Sequence, residues 1–324
     1  MGRERNGNHN MKPTWIVCMV LFWGALIGCS GDDGSGPVPG ANNGSDTDTE
    51  NDTDNDTDSC PLSVLPPGDT IQTLEVDGLD RSYILHVPDA YTGDEPVPLI
   101  LDFHGLSCSA SKELSVSSYP DQVDDEGVIM AFPEGESGSM GAGWNVGPCC
   151  VDDVDDVAFV RAIVAHVESL ACIDKKRVYA VGVSLGGGMS YYLGCHASDI
   201  FAAIAPAAFD LLEENVTECA PARPITVVSF RGTADMMVPY DGGYSDFVPD
   251  HPMTFLGAVA TFEKWAEFNG CTDFAEDDPI GEGCQTYDGC SDGVQVTLCT
   301  EENGGHEPGD ATVSWPVLKK YSLP

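Results

Sequence analysis

Residues 177–195 read RVYAVGVSLGGGMSYYLGC. The apolar run Val178–Val183 ends at a serine held in the pattern Gly182-Val183-Ser184-Leu185-Gly186, with Gly187 and Gly188 behind it. Beyond the serine, Met189, Tyr192 and Leu193 recur at helical spacing. A strand that bends at once into a helix forces strained dihedrals on the residue at the bend. Glycines two positions to either side let the two segments pass without Cβ clashes. The pattern therefore lifts the Ser184 hydroxyl to the end of a sheet. The helix N-terminus behind it offers free N–H donors and a partial positive charge, which places the Leu185 amide to bind an oxyanion. A phosphate loop is the rival reading of such a glycine-rich bend, but no Gly-Lys-Ser/Thr follows.

Working outward, Thr70–Val76 and Arg81–Val87 are rich in β-formers around Asp77-Gly78 and predict an antiparallel pair. Pro98–Phe103, Val128–Phe132, Phe201–Ala205, Ile225–Phe230 and Val294–Cys299 predict further strands. Helices are expected at Asp156–Ala171, with Phe159, Val160, Ile163, Val164 and Val167 on one face, and at Thr254–Phe268, with Phe255, Val259, Phe262 and Ala266 in register. A short last helix is expected from Ser314. Strands alternating with helices predict an α/β fold with a mostly parallel central sheet covered on both faces. Sites in such sheets lie beyond the carboxyl ends of strands.

A serine hydroxyl needs a base. His9 precedes an apolar leader, while His86, His166 and His196 fall on or beside predicted elements and suit structural roles. Where a serine stands on such a bend, the acid and then the histidine follow it in the chain. His306, in the loop Gly304-Gly305-His306-Glu307-Pro308-Gly309, suits this role better than His251. Asp235, in the loop after Ile225–Phe230, suits the acid better than Asp241 or Asp246. Asp235 would fix the imidazole tautomer and stabilise the imidazolium. The run PLILDF leads into His104-Gly105-Leu106, where Gly105 lets the chain turn and present the Leu106 N–H as a second oxyanion donor, with His104 bracing the loop.

Taken together, the segments DGLDRSYILHVP, PLILDFHG, GWNVGPCC, DDVAFV, IDKKRVYAVGVSLGGGMS, FAAIAP, FRGTADMMVPYDGG and GGHEPG span most of residues 70–310. They resemble the esterase group of α/β-hydrolases that includes polyhydroxybutyrate depolymerases, feruloyl esterases and acetylxylan esterases. The resemblance implies a Ser184–Asp235–His306 triad and hydrolysis of carboxylic esters on a polymer, with no metal or organic cofactor. Feruloyl or acetyl esters of plant polysaccharide are the expected substrates, ahead of polyhydroxybutyrate. Arg231 stands where the group usually has histidine, Leu185 where it often has asparagine, and no tryptophan follows His306. Trp144, Asn145, Tyr240 and Trp315 are the candidate substrate contacts. A serine peptidase and a non-catalytic surface binding module are the other classes the residues allow.

The remaining features concern address. Lys12 followed by the apolar run Trp15–Ile27 and by Gly28-Cys29-Ser30 predicts a lipoprotein signal over residues 1–28, with Cys29 lipidated as a membrane anchor. Residues 29–59, which include GSDTDTENDTDNDTDS, predict a disordered acidic linker. Residues 60–324 form the expected catalytic domain of an exported protein. A net charge of −39 disfavours nucleic acid as a partner. Of 13 cysteines, eleven remain after Cys18 and Cys29 are set aside. That density predicts disulfides, with Cys149 and Cys150 bonded to different partners and one thiol left over or paired outside the chain. No Cys-x-x-Cys spacing supports zinc.

Overall fold

The computed structural model describes residues 60–61, 64–272 and 280–324. The apolar leader, Cys29 and the acidic linker lie outside the described residues. Nine strands make one sheet: β1 (Gly68–Val76), β2 (Leu79–Val87), β3 (Val97–Phe103), β4 (Ile129–Pro133), β5 (Ile173–Val183), β6 (Ala203–Ala207), β7 (Thr226–Gly232), β8 (Cys284–Tyr287) and β9 (Val296–Glu301). Their spatial order is β1-β2-β4-β3-β5-β6-β7-β9-β8. The run from β4 through β3, β5, β6 and β7 to β9 is parallel. Antiparallel strands appear only toward the edges, where β2 pairs with β1 and β4, and β8 with β9.

Alternation along the strands divides the core. Leu99, Leu101 and Phe103 of β3 and Val178 and Ala180 of β5 face one apolar layer, whereas Ile100, Tyr179 and Val181 face the other. The first layer is closed by α2 (Asp156–Leu170), α3 (Leu185–His196) and α4 (Ala258–Phe268), the second by α1 (Ala110–Val116) and α5 (Ala311–Leu318). In α2 the expected face is the buried one, and Asp155 caps its N-terminus by accepting from the Ala158 amide at 2.8 Å.

The region around Thr254 departs from expectation. Met253–Phe255 is a short strand paired with Gly243–Ser245, and α4 begins only at Ala258, after Gly257 at φ 92°. The buried face of α4 is Ala258, Thr261, Phe262, Trp265 and Ala266, while Val259 is exposed. A left-handed glycine ends one element and starts the next, so the apolar run could not be a single helix.

Among the described residues five disulfides are seen, joining Cys60–Cys172, Cys149–Cys150, Cys195–Cys219, Cys271–Cys290 and Cys284–Cys299. The adjacent cysteines 149 and 150 thus pair with each other, contrary to the expectation of separate partners: the loop folds back on itself, with the Cys150 amide on the Trp144 carbonyl and the Val146 amide on the Cys149 carbonyl. Cys108, the eleventh cysteine, is not a bare thiol either.

Candidate active site

Ser184 follows the last residue of β5 directly and precedes the first residue of α3. Its dihedrals, φ 56° and ψ −127°, lie outside the basins L-residues favour, at a cost of about 1–3 kcal/mol. Two glycines make the bend possible. A Cβ on Gly182 would sit 2.7 Å from the Gly186 carbonyl group and the Phe103 oxygen, and one on Gly186 only 1.8 Å from the Phe103 oxygen. The end of β5 and the start of α3 therefore pass each other and β3 at backbone contact. The Ser184 amide donates to the Ala207 carbonyl at 2.9 Å, and its own carbonyl accepts from Gly188 at 3.0 Å.

The loop after β3 comes directly to the serine. A Cβ on Gly105 would lie 3.2 Å from Ser184 Cβ and 3.7 Å from Ser184 Oγ. His104 shapes this loop. Its Nε2 accepts from the Gly135 amide at 3.0 Å, so its Nδ1 carries the proton and donates to the Gly105 carbonyl at 2.8 Å. Burial pushes the His104 imidazole down to about 4, against a smaller upward pull from the Gly105 carbonyl. His104 is a neutral brace, not a base. The Leu106 and Leu185 side chains meet over Gly143, 3.2 and 3.1 Å from where its Cβ would stand, so the two expected oxyanion donors belong to adjoining segments. A small hairpin, Glu136–Gly138 with Gly141–Gly143, carries Gly143 and receives the Ser107 amide on the Ala142 carbonyl at 2.8 Å. Sequence reasoning missed this hairpin. Its signal was the glycine-rich stretch EGESGSMGAG.

Asp235 and His306 lie beyond the carboxyl ends of β7 and β9, adjacent strands on the same rim as Ser184. His306 Nδ1 is 2.8 Å from Asp235 Oδ2, with the imidazole 8% exposed and the carboxylate wholly buried. The other oxygen, Oδ1, accepts from the Met237 and Val238 amides at 2.8 and 3.0 Å. Burial alone would push the Asp235 carboxyl up. The hydrogen bond and charge of His306, with the two amides, outweigh it and hold the carboxyl below its ordinary value. An ionised Asp235 holding Nδ1–H leaves the Nε2 lone pair available. The two loops are also stitched through the backbone, with Ala234 N on the Gly304 carbonyl at 2.8 Å and Thr233 N on the Glu301 carbonyl at 3.0 Å. Gly309 then runs over Phe230 and Ala207, 2.9 and 3.5 Å from its Cβ position, which brings the histidine loop over the strand end that bonds the Ser184 amide.

The expected substrate contacts divide. Trp144 is fully buried, packs against Phe103 and His104, and donates its Nε1–H to the His104 carbonyl at 2.8 Å, so it supports the loop after β3 and faces no solvent. Trp315 is buried on the opposite layer against Tyr179, with Nε1 on Glu126 at 3.2 Å, because α5 packs beneath the sheet and away from the rim. Both are core residues here. Tyr240 is half-buried on the acid loop, its hydroxyl 2.7 Å from Thr300 Oγ1. Asn145 donates its Nδ2–H to the Val154 carbonyl at 2.9 Å, accepts at Oδ1 from the Gly147 amide at 3.1 Å, and lines a cavity of about 460 Å³ with Arg81, Asp77 and Asp155. His251 lies against the Pro148 carbonyl at 3.1 Å, with its Nε2 3.5 Å from Asp152 Oδ2. Among the described residues no group of three or more His, Cys, Asp or Glu could hold a metal ion, and no helix is long and apolar enough to cross a membrane.

No protein-family profile matches the chain. It is 46% identical over 246 residues to feruloyl esterase B of Piromyces equi, an alignment covering 75% of this chain and 46% of that protein. The chain thus spans less than half the length of that relative. It is 31% identical over 230 residues to feruloyl esterase C of Emericella nidulans, covering 67% of this chain and 78% of the relative. Acetyl xylan esterase from Aspergillus awamori superposes with a TM-score of 0.56 at 14% identity, over 77% of this chain and 99% of that one, which speaks for the fold alone. By its α/β-hydrolase sheet and these relatives, the chain belongs to the feruloyl esterase group.

Proposed function

We propose that the protein is an exported serine esterase that cleaves feruloyl or acetyl esters on plant polysaccharide. In this reading Ser184 Oγ attacks the ester carbonyl while His306 Nε2 takes its proton. The Leu106 and Leu185 amides receive the oxyanion of the tetrahedral intermediate. His306 then protonates the leaving alcohol and activates the water that resolves the acyl-enzyme, with Asp235 stabilising the imidazolium throughout. The observation that carries the reading is the 2.8 Å His306–Asp235 pair on the same sheet rim as the strained serine bend. The names of the relatives support the acyl group. Residues 60–324 are the catalytic domain, tethered by the acidic linker 29–59 to a lipid anchor at Cys29 after removal of residues 1–28. The disulfides among the described residues suit an oxidising compartment, and an anchored enzyme suits a polymer that cannot enter the cell.

The test is a panel of methyl ferulate, acetylated xylan, hydroxybutyrate oligomers and a chromogenic peptide, run on wild type and Ser184→Ala. Turnover of the ferulate or acetyl ester should fall by about 10⁴-fold or more in the variant. Preferential cleavage of hydroxybutyrate oligomers would reassign the acyl group, and cleavage of the peptide alone would overturn the esterase reading. Cys29→Ser should move the protein from the membrane fraction to the soluble one.

A further inference from the structure

We propose that Arg231 and Asp210 form a buried clamp that positions the catalytic acid, which makes Arg231 a positioning residue for ester hydrolysis; the proposal rests on the Ser184–His306–Asp235 reading. Arg231 lies near the end of β7 and is 3% exposed, and Asp210 follows β6 and is 1% exposed. Arg231 Nη1 donates to Asp210 Oδ1, and Nη2 donates to the Val238 carbonyl at 2.7 Å. The Val238 amide is the group that donates to Asp235 Oδ1 at 3.0 Å. Val238 is therefore gripped at both of its polar groups, by the guanidinium on one side and by the acid on the other.

The second arm of the clamp reaches the nucleophile's side of the sheet. Asp210 follows Phe209, whose ring would meet a Cβ on Gly188, in the first turn of α3, at 2.7 Å. The chain before it is fixed to β7 by the Ala208 amide on the Phe230 carbonyl at 3.0 Å, and the chain after it to α4 by the Leu211 amide on Thr261 Oγ1 at 3.1 Å. Ser184 itself bonds Ala207, three residues before Asp210. One planar guanidinium thus ties the turn that carries the acid to the segment on which the serine bend rests, across the width of β6. A buried ion pair is a poor source of net stability, since well-packed apolar residues would serve as well. What a guanidinium adds is two hydrogen bonds at a fixed angle. That geometry matters where an acid has to be placed to within a fraction of an ångström.

Arg231→Lys keeps a cation opposite Asp210 but cannot hold both partners in the fork. Its kcat on methyl ferulate should drop at least tenfold, with KM within twofold and a melting temperature close to wild type. Because Arg231 acts through Asp235, the same substitution made in an Asp235→Ala background should cost no further activity. Should the lysine variant fold poorly, the apolar double variant Arg231→Met with Asp210→Leu removes both charges and should show the same loss of kcat. Wild-type kcat in either variant, or a tenfold loss that persists in the Asp235→Ala background, would overturn the clamp. Ser184→Ala in the same assay keeps the two claims apart. An inactive Ser184→Ala beside a fully active Arg231→Lys sinks the clamp alone, whereas an active Ser184→Ala sinks the site on which it rests.

Discussion

At the serine bend, backbone meets backbone: Gly182 and Gly186 lie where any Cβ would strike a main-chain atom, and the strain at Ser184 is held by strand, helix and the Phe103 carbonyl together. At Asp235 and His306, side chains do the holding. Asp235 is fixed by His306, by two amides and, through Val238, by Arg231. The first kind of constraint acts between residues close along the chain plus one strand beside them. The second joins residues 21 and 71 positions apart. A serine bend held by sterics tolerates no substitution at its glycines, whereas a carboxylate held by hydrogen bonds should tolerate changes of shape nearby and fail when a partner is lost.

The largest expected effect breaks the bend itself. Gly186→Ala would place a methyl group 1.8 Å from the Phe103 carbonyl oxygen, which ends a strand paired on both sides and cannot withdraw. The cost should exceed about 4 kcal/mol, in the range of the most severe single substitutions, and little soluble protein is expected. Equilibrium urea unfolding of whatever is recovered measures it. A midpoint like that of wild type would show that strand and helix do not hold the bend sterically.

The same contrast explains what could be read from the chain before its structure. The bend was legible because its constraint is local: glycines around one serine, with a β run before and a helical run after. The pairing of Asp235 with His306 was legible because their order along the chain and their place after strands leave few candidates. Their support was not. Nothing at Asp210 announces a partner 21 residues on, and Arg231 could be seen only as an unexpected residue where histidine was due. Trp144 and Trp315 were misjudged because an aromatic that lines a pocket and one that fills a core carry the same signal, and only the layer each faces decides between them. The pairing of Cys149 with Cys150 depends on a loop that folds back on itself, which spacing alone does not reveal.

A second, intermediate effect sharpens the comparison through pH, since two buried titratable groups stand at the end of β3 and just beyond it, Asp102 on the Ser117 hydroxyl and His104 on the Gly105 carbonyl. His104 has its pKa lowered to about 4 from 6.5. As pH falls through that window the unfolded chain takes up a proton that the folded chain refuses, so stability is lost with falling pH, by about 3 kcal/mol in all. Asp102, two residues earlier on β3, is pushed up to about 7 by burial, against the pull of the Ser117 hydroxyl. It stays protonated in the folded chain while the unfolded chain ionises, so its contribution is lost as pH rises from about 4 to about 7. The two slopes oppose each other in wild type. The stability advantage of wild type over His104→Gln should therefore shrink by about 3 kcal/mol between pH 7 and pH 4, whereas Asp102→Asn should gain on wild type as pH rises over the same range. Urea midpoints across pH read both. Parallel curves for wild type and His104→Gln would show that the imidazole is not held neutral.

The smallest effect belongs to the other region and reverses the sign of the first. Gly305 precedes His306, has no left-handed φ, and a Cβ there would meet only Glu307 Oε1, at an ordinary 3.7 Å. Its carbonyl lies against Gly232, but its own Cα faces open space. Alanine at this position loses nothing in the folded state and narrows the freedom of the unfolded chain, so Gly305→Ala should stabilise the protein by roughly 0.4–1 kcal/mol. Activity should stay within twofold of wild type, because Asp235 and its two amides hold the imidazole and the glycine does not. A loss of activity on the scale of Gly186→Ala would mean that the histidine loop is also a steric device, and the distinction between the two regions would fall.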